Sequence, residues 1–265
     1  MLSHPNEPDA YLLSVDDLDD EYAMPPAARA HATALRTVAA WAREYLAEPH
    51  PDLGRGGPVC PYVTTSLNRR LFYLTVCPIR SGEDQNAHVS ATVASYRDWF
   101  VSLEPLESID AIYKTILILF PDVSAESAPG VIDVTQARLK PSFVDAGLML
   151  GQFHGRPPVD GGLWNPAFRP LRAPVSLLAI RQMVPADLPF LLGDRRLLDA
   201  YQHVFGDNLP ARHRRRLAEE RARLDQVTNC DRGARAGSSV VRPDMVAASV
   251  GAGSPAGSEP RAYPG

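Results

Sequence analysis

The sequence lacks the short motifs that mark the common classes of enzyme. It has no Walker loop, no Gly-x-Gly-x-x-Gly, no Gly-x-Ser-x-Gly and no paired Cys-x-x-Cys, so nucleotide-dependent chemistry, serine hydrolysis and a four-thiolate zinc site find no support. Its three cysteines, Cys60, Cys77 and Cys230, are too few and odd in number for a disulfide framework.

The chain also lacks an excess of positive charge and has no long apolar runs. The formal net charge of −4 argues against a protein whose main role is to bind nucleic acid, since phosphate binding depends on concentrated positive charge. Lys114 and Lys140 are the two lysines, and the remaining basic residues are arginines, which fits a bias in composition better than phosphate recognition. No apolar run approaches the roughly 20 residues that cross a bilayer. The first residues are acidic and do not resemble a secretory signal, so we expect a cytoplasmic protein that does not bind membranes.

The composition predicts three segments. Residues 1–21 end in the acidic run Asp16 to Glu21, which predicts a flexible arm. Residues 22–227 alternate helical and strand patterns, which predicts a single domain. Residues 228–265 are rich in Gly, Ala, Ser, Pro and Arg without apolar periodicity, which predicts a disordered tail.

Apolar periodicity predicts an α/β or α+β fold, with a small mixed sheet of at least three strands covered by helices. The predicted strands are residues 70–77, 112–120 and 175–183. The predicted helices are residues 24–47, 86–103, 131–154, 185–192, 195–205 and 209–224. Pro141 is expected to kink or restart the third helix.

Gly147 and Gly151 attract attention because they lie four residues apart at the end of that predicted helix. On a helix they would leave a bare strip beside His154, and a glycine in a helix interior costs about 1 kcal/mol. Either another helix or a flat cofactor would lie against such a strip. Neutral imidazole is an axial ligand of haem iron, so the sequence predicts His154 as the metal ligand of a haem, although a structural histidine at a helix end is the alternative.

Cys60 and two arginines supply further candidates for the same site. Cys60 precedes Pro61 in a glycine-rich loop, where it would line the pocket as a catalytic residue or be buried structurally. Arg169 and Arg172 lie in a proline-stiffened loop and would bind a haem propionate or a substrate carboxylate, or hold loop carbonyls. Trp164, with Asn165, lies at the loop tip and is expected to line the pocket as a second catalytic candidate.

Four segments together resemble an uncharacterised bacterial family, classed as a domain of unknown function, whose members often accompany natural-product gene clusters. The segments are Gly57 to Tyr62, Leu148 to His154, Asn165 to Pro174 and Leu178 to Arg181, and the resemblance covers roughly residues 35–195. The Cys60-Pro61-Tyr62 motif alone is similar to small haem-dependent N-hydroxylases that oxidise the guanidine of arginine. No ligand is carried over from that second resemblance.

The combined expectation is a haem-dependent oxygenase or N-oxygenase that acts on a small amino-acid-like metabolite in natural-product biosynthesis. Two alternatives remain open: a cofactor-free binding or scaffold protein, and a cofactor-free isomerase or cyclase that uses Cys60 or His154 in acid–base chemistry. The expected partner is a small-molecule substrate, and a homodimer is among the expected assemblies.

Overall fold

A four-stranded sheet with helices on both faces organises the chain. The computed structural model describes residues 1–79, 82, 84–106, 108–158 and 162–237. The strands are β1 (Leu2–Ser3), β2 (Tyr11–Leu12), β3 (Phe72–Val76), β4 (Thr115–Leu119), β5 (Leu148–Phe153) and β6 (Leu177–Gln182). The α-helices are α1 (Pro26–Ala30), α2 (Ala32–Trp41), α3 (Val63–Asn68), α4 (Gln85–Ser102), α5 (Val134–Asp145), α6 (Arg195–Phe205) and α7 (Ala211–Gly237).

The sheet has the strand order β3-β4-β6-β5 and mixes parallel with antiparallel pairs. Strands β3 and β4 are parallel and are connected through α4, whereas β6 runs antiparallel to both of its neighbours. A separate ladder joins β1 and β2. The predicted mixed α/β fold is therefore confirmed, and the three predicted strands correspond to β3, β4 and β6.

Strand alternation divides the buried side chains into two cores. Leu74, Leu117 and Leu177 point to the face covered by α2, where they pack with Leu35 and Val38. The intervening residues of the same strands point to the other face, against the apolar residues of α4 and the segment that leads into α5. Both faces of the central strands are thus buried, which explains their nearly continuous apolar sequences.

The N-terminal segment belongs to the fold and does not form the predicted flexible arm. Strand β2 pairs with β1, and Leu13 forms a β-bridge with Leu74 at the edge of the sheet. Leu12 and Leu13 are 0% and 1% exposed, so burial of these apolar side chains outweighs the repulsion within the acidic run. Asp17 of that run caps a short helix by accepting from the backbone and hydroxyl of Ser14.

The prediction of a helix through His154 is wrong. Helix α5 ends at Asp145 and includes Pro141 without interruption, and Gly147 follows it at φ +72°, the left-handed conformation that ends many helices. The chain then turns into β5, so Gly151 lies within a strand. The two glycines therefore do not share a helix face, and no bare helical strip exists beside His154.

The C-terminal segment begins as a helix. The chain forms two compact units, residues 1–222 and residues 223–265. Residues 228–237, which were expected to be disordered, continue helix α7, whereas the remainder of the predicted tail, 238–265, lies outside the described residues. Among the helices described, none is both long and apolar enough to span a lipid bilayer.

Candidate functional site

Three of the four motif segments meet on one face of the sheet, where β5 and β6 pair. The ladder places Gly151 opposite Ala179, and Met149 opposite Arg181. Gly151, Phe153, Ala179 and Arg181 are all partly exposed on the side of the sheet that α2 covers. We call these four residues the β5–β6 face. Cys60, which belongs to the third of these motif segments, packs against the same core cluster.

The centre of the β5–β6 face is formed by two small residues, Gly151 and Ala179. A Cβ atom at Gly151 would lie 3.0 Å from the ring of Phe153, so that ring already leans over the glycine. Trp41, at the end of α2, meets Phe153 edge to face with ring centroids 5.7 Å apart. Any larger residue at position 151 would have to displace the Phe153 ring, which explains the glycine without a cofactor.

Arg181 forms the charged end of the β5–β6 face. Its guanidinium donates two hydrogen bonds to the Asp187 carboxylate, at 2.7 and 2.6 Å, and Asp187 also accepts from the backbone of Val184. Burial lowers the pKa of Arg181, but Asp187 and, more weakly, Cys60 and Tyr62 raise it above its ordinary value. A fixed positive charge therefore lies beside the Cys60 thiol and the Tyr62 phenol.

Aromatic rings surround the opposite end. The ring of Tyr45 packs between those of Trp41 and Phe168, and His50 lies against Phe168 with centroids 4.9 Å apart. Burial raises the pKa of Tyr45, and the positive charge of Arg172 opposes that shift. This end combines apolar ring surface with a nearby guanidinium.

The two predicted arginines have different roles. Arg169 donates to the carbonyls of Pro166 and Phe168 at 2.6 and 3.2 Å, so it holds its own loop together. Arg172 is exposed, and its guanidinium makes no hydrogen bond or ion pair with any residue that the structure describes. Of the two arginines, Arg172 is therefore the one available to an anionic ligand.

Trp164 does not line the site. Its side chain is 64% exposed, and its backbone lies 3.0 Å from the position of a Cβ on Gly54, in the loop that leads to Cys60. Asn165 donates its side-chain amide to the carbonyl of Asp52 at 2.8 Å. Both residues join two loops, which is a structural role.

His154 lies directly after β5 and is 0% exposed. Its Nε2 is 2.9 Å from Oδ1 of Asp133, and its Nδ1 accepts from the backbone N–H of Arg156 at 3.2 Å. Since Nδ1 is the acceptor, Nε2 carries the hydrogen and donates to the carboxylate. The backbone of His154 also pairs with Leu171 and Ala173, which connects β5 to the arginine loop.

The surroundings of His154 do not fit an axial ligand of haem. A ligand needs one imidazole nitrogen with a free lone pair, and both nitrogens here are hydrogen-bonded within a fully buried site. The predicted strip of Gly147 and Gly151 is not a flat surface either. We therefore assign His154, Gly147 and Gly151 structural roles.

A separate open groove lies at the carboxyl end of β4. Its volume is about 560 Å³, and its walls include His31, Thr37, Gly155 and Ser176. That volume is ordinary for a small ligand, but the hydroxyls of Thr37 and Ser176 are already bonded to backbone carbonyls. The groove therefore offers less reactive chemistry than the β5–β6 face.

Two acidic residues that contact the candidates, Asp187 and Asp133, were not predicted from the sequence. Asp187 follows Arg181 by six residues, at the N-terminal turn of a short helix, and Asp133 precedes His154 by 21 positions. The spacing of an acidic residue soon after Arg181 was a usable signal for the first pair. For the second, no sequence signal was available, because the contact depends on how α5 returns to the sheet.

The fold and these contacts define a mixed α/β protein with a half-open, arginine-bearing face on its sheet. Residues 35–216 match the family described as Domain of unknown function (DUF6875), and the chain belongs to this family. Neither the curated proteins nor the solved structures contain a match to the chain.

Proposed function

We propose that this chain is an enzyme that acts on a small, carboxylate-bearing, amino-acid-like metabolite bound on the β5–β6 face. The observation that carries the proposal is the convergence on that face of residues from separate motifs: Gly151 and Phe153, Ala179 and Arg181, and the Cys60 loop. A thiol, a phenol and two guanidinium groups thus come from segments that are distant in sequence and meet on one partly exposed surface. Such convergence of polar groups is typical of a ligand site.

Arg172 and the aromatic rings account for substrate binding. The exposed guanidinium of Arg172 offers a planar pair of donors that matches a carboxylate. Trp41, Tyr45 and Phe153 provide apolar surface beside it. Arg181 is already paired with Asp187, so it fixes the electrostatics of the site instead of taking the substrate carboxylate itself.

Cys60 is the proposed reacting group. The thiol lies beside Tyr62 and the positive charge of Arg181, so Cys60 is suited to pass a proton to and from the substrate while charge develops next to a guanidinium. We favour an isomerase or cyclase reaction of this acid–base type. Haem oxygenation through His154 is not part of the proposal, because the Nδ1 lone pair of that buried imidazole already accepts a hydrogen bond from Arg156.

Ligand binding is the first test. Purified chain is titrated calorimetrically with a panel of amino acids and of oxo and hydroxy acids. Arg172→Ala should weaken carboxylate binding about 10- to 100-fold, the range expected for charge-assisted hydrogen bonds, and Ala179→Phe should block it. Arg214→Ala and Ala91→Phe change exposed residues elsewhere and serve as matched controls.

Chemistry is tested separately from binding. In deuterated water the wild-type chain should exchange a carbon-bound hydrogen of the bound carboxylate, whereas Cys60→Ser should bind equally and exchange nothing. Equal affinities for Arg172→Ala, Ala179→Phe and their controls would refute the site. Unchanged exchange in Cys60→Ser would refute the role of the thiol. A Soret band in the freshly purified wild type that disappears in His154→Ala would restore the haem hypothesis.

A further inference from the structure

A row of polar side chains on α4 faces the end of β3, on the opposite side of the sheet from the proposed substrate site. His88, Thr92 and Tyr96 follow one another at intervals of four residues, so they share one face of the helix. Tyr96 Oη is 2.9 Å from Thr75 Oγ1 and donates to the carbonyl of Tyr11 at 3.2 Å. The other two members of the row meet Cys77.

Cys77 is held between an imidazole and a hydroxyl. Its Sγ lies 3.1 Å from Nε2 of His88 and 3.2 Å from Oγ1 of Thr92. The backbone N–H of Cys77 donates to Leu119, which extends the β3–β4 pairing by one residue before Pro78 ends the strand. Strand and helix thus fix both partners of a thiol–imidazole pair at hydrogen-bonding distance.

Exposure changes along the row. Thr75 and Tyr96 are 0% and 6% exposed, so that end is sealed within the core. Cys77, His88 and Thr92 are all partly exposed, so a small reagent can approach the thiol from solvent. A purely structural polar network would not need an accessible thiol next to a base at its outer end.

We propose that Cys77 is a nucleophilic thiol activated by His88 and that it forms a mixed disulfide with small-molecule disulfides. Sγ attacks one sulfur of the disulfide as its proton passes to Nε2 of His88. The S–S bond of the reagent breaks, and the leaving thiolate takes the proton back from His88. The reagent is the oxidant: one of its sulfurs joins Cys77, and the other leaves as a free thiol.

The backbone around Cys77 favours attack on sulfur over acyl transfer. Acyl transfer needs N–H donors for the oxyanion that forms at the carbonyl carbon. The N–H of Cys77 is bonded to Leu119, that of Ile79 donates to Asp122 at 2.9 Å, and Pro78 has none. Disulfide exchange requires a base beside the thiol and a line of approach, and His88 at 3.1 Å and the partial exposure of Cys77 provide these.

Several other ionisable groups surround the pair. Tyr11 and Tyr96 lie on the buried side, and burial raises the pKa of each to about 12, so both stay neutral in the assay below. Two carboxylates lie on the flanking segments that the structure describes: Asp84 caps the first turn of α4, and Asp122 accepts from the backbone N–H of Ile79. His88 is therefore the group on α4 whose removal should change the pH profile of Cys77.

The experiment measures the rate at which each cysteine of the full chain reacts with bis(hydroxyethyl) disulfide, a neutral probe. Acid quenching and peptide mass mapping separate Cys77 from Cys60 and Cys230. The variants are His88→Gln, Thr92→Val and Cys77→Ser, each checked by circular dichroism and thermal unfolding. The same cysteines in urea give the rate without the folded environment.

At about pH 6, Cys77 in His88→Gln should react about tenfold more slowly than in wild type. In wild type His88 increases the fraction of Cys77 present as thiolate, and this increase outweighs the lower intrinsic nucleophilicity of a thiolate with a lower pKa. Above about pH 8.5 the two rates should converge, since an unassisted thiol is then largely ionised. Thr92→Val should retain most of the acidic-pH advantage. If His88→Gln leaves the pH profile of Cys77 unchanged, or if folded Cys77 reacts more slowly at about pH 6 than unfolded Cys77, the proposal is overturned. The result does not depend on Cys60, so this test is independent of the proposed function.

Discussion

His154→Ala separates a structural histidine from a metal ligand. The imidazole is completely buried and joins three parts of the chain: Asp133 before α5, the end of β5, and the turn at Arg156. Its truncation removes the donor to a carboxylate that is itself only 24% exposed. The change also empties the space that the ring occupied between β5 and the arginine loop.

The expected loss in the free energy of unfolding is about 3 kcal/mol. The hydrogen bond to the Asp133 carboxylate contributes about 2 kcal/mol, in the range for charged partners. The cavity left by the ring adds about 1 kcal/mol. The N–H of Arg156 adds little, because this residue is exposed and water can replace the lost acceptor. At 2–4 °C per kcal/mol for a domain of this size, the melting temperature should fall by roughly 6–12 °C.

Urea and thermal unfolding, followed by circular dichroism, measure this loss. Asp133→Asn keeps an oxygen that can accept from Nε2 and should cost only about 1 kcal/mol. His203→Ala alters an exposed histidine and should change stability by less than about 0.5 kcal/mol. A loss below about 1 kcal/mol in His154→Ala, equal to that of the His203 control, would refute the structural assignment.

Two further predictions concern buried groups. Asp187→Ala should cost about 3–5 kcal/mol, because Arg181 would lose its buried partner, while Asp187→Asn should cost less; equal urea midpoints for both variants and wild type would contradict this. Burial raises the pKa of three tyrosines to about 12: Tyr11, Tyr96 and Tyr201. Between about pH 10 and 12 these side chains stay protonated in the folded chain but ionise in the unfolded chain, so the free energy of unfolding should be constant below about pH 10 and decline from about pH 10 to 12. Phenolate absorbance that shows all 9 tyrosines ionised by about pH 10.5 in a folded chain would contradict it.

Much of the fold is predictable because local patterns and tertiary packing agree. The β-branched run that contains β4 and the apolar run that contains β6 are each bounded by proline, and they form adjacent strands. The segment from Leu148 to Phe153 was misassigned because its apolar residues fit a helix or a strand over so short a length. Gly147, directly after Ala146, was the available signal that the helix stops.

The candidate site is predictable only in part. The sequence singled out Cys60 and Arg172, but it could not distinguish Arg172 from Arg169. Cys60 packs on the α2 side of the sheet, and Arg172 lies near Tyr45 on that same side. The distinction depends on which guanidinium lies close to loop carbonyls. The turn from Pro166 to Phe168 places two carbonyl oxygens beside Arg169, so Arg169 is bonded to its own loop. Pairings across long separations, such as His154 with Asp133, depend on strand order and leave no periodic signal.

The misassigned segment also explains why the haem hypothesis and the proposed substrate site lead to different experiments. On a helix, Gly151 and His154 would share one face, and a flat ligand would cover both. In strand β5, Gly151 lies on the face toward α2, whereas His154 follows the strand and is enclosed beside Asp133. A ligand on the β5–β6 face therefore meets Phe153, Ala179 and the arginines but not the imidazole. Consequently His154→Ala should reduce stability without weakening carboxylate binding at temperatures where it stays folded, and Ala179→Phe should do the reverse.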